Sequence, residues 1–289
     1  MNSKEFEYLG IKRFHEAGYK GKGIVVASRE KETSTHGSKV ADILKQVCPE
    51  AIILYGIDYK KDTANFDIYT TSLSFASDSL PTSENKAKEL VEQNKFLVCA
   101  VGNEAEDSAT AISKNKYFKS IGACHLINDK PKRATYSSIT DDIDYMCLSN
   151  LENTLLNKRL QGTSFATPLF AGMLALYQCY TLEKTGRKLT YIELEEFIKS
   201  NLIDLEEEGF DTKTGHGLFI LPKIEVEDMK KIILKIGSKI ANVDGKEVEM
   251  DVAPLILENR TFVPVRFVSE VLGCKVNWDE KDREVTIKK

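Results

Sequence analysis

A long run of small and apolar residues, 164–180, constrains this chain more than any other stretch. As a helix it must be buried, so other layers have to cover it. Its leading end reads Gly162-Thr163-Ser164-Phe165-Ala166-Thr167-Pro168. That segment can present one serine at the first turn of a buried helix. Pro168 is expected in the same turn, where a missing amide hydrogen costs little.

Around this helix, short apolar runs alternate with helical patterns. Strands are expected over 24–27, 51–55, 66–73, 96–101 and 117–123. Helices are expected after His36, where Val40, Ile43, Leu44 and Val47 form a stripe, and over 86–93 and 191–200. The alternation implies an α/β fold, a three-layer sandwich with a mostly parallel central sheet and helices on both faces. Polar residues at strand ends, Asn103 among them, then fall where such folds gather their sites.

The rhythm changes after Pro222. Residues 223–232 read as a charged linker between a domain at 1–222 and a small α+β domain at 233–289. In the latter, Gly237 and Asp244-Gly245 signal hairpins, and a strand over 261–263 leads into a helix that Pro264 starts and Gly273 caps. A closing hairpin takes 275–278 and 284–287. The expected core is Phe262, Val265, Phe267, Val268, Val271, Leu272 and Trp278.

The chain has 289 residues, enough to bury roughly 70–75% of its unfolded surface. A formal net charge of -4 argues against a nucleic-acid partner, which needs a concentrated basic surface. No segment reaches 18 uninterrupted apolar residues, so no membrane span is expected. The N-terminus lacks the apolar run of a secretory signal. Six cysteines are scattered without a close pair of metal-ligand spacing, which favours buried free thiols in a reducing compartment. A cytoplasmic location is the expectation, with signal-independent release or surface association as the alternative. No Asp-x-Asp-x-Asp-Gly loop is visible, and neither a metal nor another cofactor is expected.

A serine hydroxyl is a weak nucleophile until a base takes its proton. For Ser164 the candidate base is His36, within Thr35-His36-Gly37-Ser38 and directly ahead of a helix over 39–46. His15, His125 and His216 have no comparable setting. With these motifs in hand, residues 10–222 resemble the subtilisin-like serine peptidases. The serine motif matches from Gly162 to Pro168, the histidine motif from Thr35 to Ala41, and the oxyanion motif at Val101-Gly102-Asn103-Glu104. Shorter matches lie at Asp67-Ile68, Thr71-Ser72-Leu73-Ser74, Ala134-Thr135-Tyr136-Ser137-Ser138 and Thr214-Gly215-His216-Gly217-Leu218.

The resemblance implies a nucleophile at Ser164, a general base at His36 and an oxyanion donor at Asn103. It implies a peptide groove flanked by Ser72, Leu73 and Ser74 on one side and Ala100, Val101 and Gly102 on the other. The family usually has glycine where Ser74 stands. The family's aspartate is absent. In register its place falls to Glu30, at the end of Gly23-Ile24-Val25-Val26-Ala27-Ser28-Arg29-Glu30, and only five residues then separate it from His36. Glu30, Glu32, Asp42 and no acid at all stay open as readings of the third member. The expected function is a serine endopeptidase acting on a protein or peptide through an acyl-enzyme, with Glu30 in the aspartate's role. The alternative is an inactive or very slow pseudopeptidase that binds peptides or serves as an assembly or structural module.

The second domain resembles the copper amine oxidase N-terminal-like domain through Val243-Asp244-Gly245-Lys246, Asp251-Val252-Ala253-Pro254, the run from Arg260 to Val268, Leu272-Gly273 and Val276-Asn277-Trp278. It contains no histidine, and Cys274 alone cannot make a copper site. Arg260 and Arg266 either hold the fold or present a ligand surface, and Trp278 is read as core. This resemblance implies a contact with a protein or a cell-wall glycan.

Overall fold

The structure, a computed structural model, describes residues 4–73, 80–105, 110–153, 158–224 and 231–288. It divides into two units, Met1–Ile224 and Glu225–Lys289.

In the first unit, two short helices, α1 (Lys4–Tyr8) and α2 (Ile11–Glu16), precede β1 (Val25–Ser28). Then come α3 (Thr35–Val47), β2 (Ile52–Tyr55), β3 (Ile68–Thr71), α4 (Leu80–Glu92) and β4 (Phe96–Ala100). The middle of the unit holds β5 (Lys119–Ile127), β6 (Lys130–Arg133), β7 (Tyr145–Leu148) and the hairpin of β8 (Leu151–Asn153) and β9 (Lys158–Leu160). It closes with α5 (Thr163–Thr185), α6 (Tyr191–Lys199), β10 (Leu202–Ile203) and β11 (Leu218–Phe219).

The sheet runs in the order β10-β11-β7-β5-β4-β3-β1-β2, with β6 added to β5. All neighbours from β2 to β11 are parallel, while β6 and β10 join antiparallel. Side-chain alternation assigns each strand residue to a face. Along β4, Phe96 and Val98 join the larger core, while Leu97 and Cys99 join the smaller one. The larger core lies under α3 and α5. The smaller one includes Ala87 and Leu90 of α4. Strand ends thus converge on one rim, where β1, β3 and β4 run out close to the start of α5.

Helix α5 is buried from Phe165 through Leu176 on all sides and lies across β3, β4, β5 and β7 with α3 against it. At Gly172 an added Cβ would stand 2.6 Å from Val47 Cγ1, so glycine sets how closely α3 approaches. Pro168 departs from expectation. The helix starts at Thr163, which places Pro168 in the second turn, not the first. Its missing N–H should leave the Ser164 carbonyl without its intrahelical donor. The Ser72 hydroxyl fills that gap by donating to Ser164 O at 2.8 Å.

The second unit contains a three-stranded antiparallel sheet of β12 (Ile232–Ile233), β13 (Ile240–Val243) and β14 (Lys246–Glu249). Two separate hairpins follow, β15 (Leu255–Leu257) with β16 (Arg260–Phe262), and β17 (Lys275–Asp279) with β18 (Glu284–Lys288). Between them lies α7 (Val265–Val271), entered from Pro264. Asp244 and Gly245 both take positive φ, as a two-residue hairpin turn demands. The expected core is not closed. Phe262, Val265, Leu272 and Trp278 are about half exposed, while Ala241 and Met250 are buried. Among the described residues, each hairpin forms its own two-stranded sheet, and α7 contacts β17.

Candidate active site

The turn that carries Ser164 is held by groups outside its own helix. Gly162, the N-cap, has no side chain to offer the first-turn amides. Asn103, just beyond the end of β4, supplies one partner: its Oδ1 accepts from Thr163 N at 2.9 Å and from Thr163 Oγ1 at 3.1 Å. An N–H can only face an acceptor, so these bonds fix which end of the amide points at the helix. Asn103 Nδ2 is left as a donor on the exposed side, and the residue is exposed. Ser164 N–H, in the first turn, has no carbonyl four residues back within the helix. Two donors therefore flank the start of α5, where the helix dipole also favours negative charge.

Ser164 is half-buried. Its Oγ donates a long bond of 3.4 Å to Ser72 O. Ser72 is in turn tied to the acid, because its N–H donates to Glu30 Oε1 at 2.5 Å. Glu30 is only 2% exposed, and its Oε2 accepts from Ser28 Oγ at 2.6 Å. A continuous chain thus links Ser28, Glu30, Ser72 and Ser164. Both carboxylate oxygens have donors, which is what a buried carboxylate requires.

His36 belongs to the first turn of α3, which starts at Thr35 instead of after the histidine motif. Ser34 caps the helix by accepting from Gly37 N at 2.9 Å and donates its own hydroxyl to Lys31 O at 2.9 Å. A Cβ at residue 37 would stand 2.1 Å from Lys31 O, so only glycine lets the clipped turn fold back this tightly. Five residues suffice to bring the chain from Glu30 to the base because of this close approach. The His36 ring lies 5.8 Å from that of Phe165, the neighbour of Ser164. Its Nε2 is buried without a hydrogen-bond partner. Burial lowers the His36 pKa, partly offset by the negative charge of Glu30 and reinforced by Lys39. Among the described residues, no hydrogen bond joins His36 to Glu30 or to Ser164.

The remaining residues expected at the groove are placed as follows. Ala100, Val101 and Gly102 are buried, and their carbonyls accept from Thr110 Oγ1, Thr110 N and Ser138 N respectively. Leu73 is half-buried, with its N–H donating to Thr71 Oγ1 at 3.3 Å. Ser74 lies outside the described residues. Of the other acids weighed, Glu32 is exposed and pairs with Lys45. Asp42 accepts from Gln46 Nε2 at 2.7 Å. Ser28 was missed by sequence reasoning. A serine ending an apolar strand two residues before a buried acid was the available signal.

The sequence profile of the Subtilase family matches residues 22–217. The chain belongs to the subtilase family. A second match, to the copper amine oxidase N-terminal domain, covers residues 223–287. With no histidine and one cysteine in that region, its donors do not suit copper. Among relatives, the minor extracellular protease Epr of Bacillus subtilis (strain 168) is 33% identical over 173 residues, 57% of this chain and 25% of its own length. The major intracellular serine protease of the same organism is 30% identical over 148 residues, 49% of this chain and 46% of that protein. The chain thus spans less than half the length of these curated relatives. In fold it is similar to a lanthipeptide protease, with a TM-score of 0.62 at 15% identity over 75% of this chain and 92% of that one. The prenylagaramide maturation protease PagA gives 0.59 at 17% identity over 73% and 95%. Among the described residues, no helix is long and apolar enough to cross a membrane.

Proposed function

We propose that this subtilase is a serine endopeptidase that hydrolyses peptide bonds through an acyl-enzyme. The observation that carries the reading is the orientation of Asn103. With Oδ1 committed to Thr163, Nδ2 and the Ser164 N–H are the two donors available to an oxyanion beside Ser164. His36, kept neutral at neutral pH by its lowered pKa, takes the Ser164 proton and later returns it to the leaving amine. Ser164 Oγ gives up little to attack, since its resting bond to Ser72 O is long. The peptide is taken to lie between the segment of Ser72 and Leu73 and that of Ala100, Val101 and Gly102, with Ser74 outside the described residues. The substrate's backbone N–H donates to Ser72 O when Ser164 Oγ turns toward His36.

Glu30 is the acid of this site. It is buried, held by two donors, and its charge raises the basicity of His36 against the opposing effect of burial. It orients and stabilises the imidazolium once the ring closes on it in the substrate complex, since such bonds tighten when substrate binds. One observation favours the second reading, a slow or inactive pseudopeptidase whose groove binds peptides or serves assembly: Glu30 already spends both oxygens on Ser28 and Ser72.

A fluorophosphonate probe at about pH 8, where imidazole is neutral, separates the two. The peptidase reading expects labelling of the wild type, none of Ser164→Ala, and slower labelling of Glu30→Gln. A folded wild type that does not label sinks it, and equal rates for wild type and Glu30→Gln remove Glu30 from the mechanism. A cytoplasmic site of action belongs to the same proposal. For the C-terminal unit we propose contact with a protein or cell-wall glycan, supported by a cavity of about 260 Å³ lined by Leu255, Phe262, Val265, Asp251 and Arg266. Co-sedimentation with purified cell wall, compared between wild type and Phe262→Ser, tests the glycan form.

A further inference from the structure

At Gly162, the residue that caps α5, three side chains make a hydrogen-bonded chain that has no part in the proposed proton transfers. Gly162 N–H faces Tyr136 Oη at 2.9 Å and Ser149 Oγ at 3.0 Å. Gly162 O accepts from Ser149 Oγ at 3.1 Å. Tyr136 Oη donates to Ser149 Oγ at 3.1 Å, and His125 Nε2 stands 2.9 Å from Tyr136 Oη. Counting protons orders the chain. With Ser149's hydrogen on Gly162 O and Tyr136's on Ser149, the His125 tautomer that carries its hydrogen on Nε2 donates to Tyr136 and completes the chain. The direction is His125 to Tyr136 to Ser149 to the Gly162 carbonyl.

Ser149 and the turn that carries Tyr136 are also anchored from outside this hydrogen-bonded chain. Ser149 is fully buried, and its N–H donates to Cys124 O at 2.7 Å. Arg133 holds the turn that carries Tyr136, donating to Ser137 O at 2.6 Å and to Ala134 O at 3.1 Å. His125 sits on β5, with its ring centroid 5.6 Å from that of Tyr136. The consequence for α5 is a division of its leading amides. Tyr136 and Ser149 take Gly162 N–H, Asn103 takes Thr163 N–H, and Ser164 N–H is left facing the oxyanion position.

We propose that Tyr136 and Ser149, backed by His125, are positioning residues that lock the Gly162 peptide and so aim Ser164 and its N–H. This rests on the serine peptidase reading for its effect on reactivity, but the lock itself can be read without any turnover. Three variants test it: Tyr136→Phe, Ser149→Ala and His125→Leu, with His125→Gln as the conservative replacement whose Nε2 can still donate to Tyr136. Two measurements are made on each. Amide hydrogen exchange reads the 160–164 segment, and fluorophosphonate labelling is resolved into its maximal rate and half-saturating probe concentration.

Tyr136→Phe and Ser149→Ala should each speed exchange at Gly162 and lower the maximal labelling rate by about tenfold, the effect of one buried hydrogen bond. The half-saturating concentration should stay within about twofold, because the probe's own contacts are untouched. His125→Gln should track the wild type while His125→Leu follows Tyr136→Phe. Unchanged exchange in Tyr136→Phe and Ser149→Ala overturns the lock. Faster exchange with an unchanged maximal rate overturns its positioning role. If even the wild type fails to label, the peptidase reading falls on its own, and exchange at Gly162 still decides whether these hydroxyls hold the turn.

Discussion

Asn103 shows how one side chain can be aimed by what its other end is given. Thr163 offers Oδ1 two donors, so Nδ2 is the end left free to donate elsewhere. Replacing it with alanine should lower kcat about 10²–10³-fold with little change in KM, as loss of one preorganised oxyanion donor does. A peptide-substrate titration of wild type and Asn103→Ala reads both parameters. Glu30 calls for a more careful choice of variant. Alanine there would strand Ser28 Oγ and Ser72 N–H without an acceptor in a buried place, each costing about 1–3 kcal/mol. Glutamine keeps one acceptor oxygen. Glu30→Ala should therefore lose stability in urea unfolding while Glu30→Gln loses much less, and only the second isolates the charge. The register of β1 made Glu30 the candidate for the acid's place. It could not reveal that Ser28 and Ser72 would claim both oxygens, since that depends on how β1 and β3 sit side by side.

At the scale of the element, α5 pairs a defect with its repair. Pro168 withholds an N–H from the Ser164 carbonyl, and Ser72, from the segment after β3, donates its hydroxyl there. Removing the hydroxyl should leave that carbonyl unpaired, a loss of about 1–3 kcal/mol. Pro168→Ala restores a backbone donor, so Ser72→Ala should cost much less in that background. A double-mutant cycle from urea midpoints measures the difference, and equal costs in both backgrounds would disprove the link. The helix itself was legible because a small apolar run this long admits one solution, burial on every side. The strands β1 to β5 were legible for a related reason, being apolar runs bounded by glycine and polar turns. Strands β6 and β8 to β11 were not, because β6 and β9 are mostly charged and β8, β10 and β11 span only two or three residues, while the apolar β7 was passed over. In the C-terminal unit, turn chemistry at Asp244 and Gly245 placed a hairpin correctly. Of the apolar residues named as core, Phe267, Val268 and Val271 are half-buried while Phe262, Val265, Leu272 and Trp278 stay exposed, because alternation says which face is apolar, not whether another layer covers it.

The whole chain carries a natural division of its optical probes. All 11 tyrosines and all four histidines precede residue 225, while the single tryptophan, Trp278, lies in the C-terminal unit. Tyrosine absorbance therefore reports the subtilase unit and tryptophan fluorescence the other. The histidines give acid a selective point of attack. His15 and His125 have pKa values lowered chiefly by burial, with Lys20 adding to the first and Arg159 to the second, and His36 is lowered in the same way. A lowered folded pKa means that the unfolded chain binds protons first as pH falls. The stability held by these neutral rings is thus fully present above about pH 6.5, the ordinary histidine value, and drains away below it. The C-terminal unit contains no histidine, so it has no imidazole to take up protons in that window. Lowering the pH from about 7.5 to about 5.5 should pull down the temperature of the tyrosine transition and leave the tryptophan transition much less affected. The displacement would show that the two units melt separately and that the subtilase unit is acid-sensitive. Coincident transitions moving together would instead make the chain a single cooperative block, with the Trp278 hairpin drawing its stability from the subtilase unit.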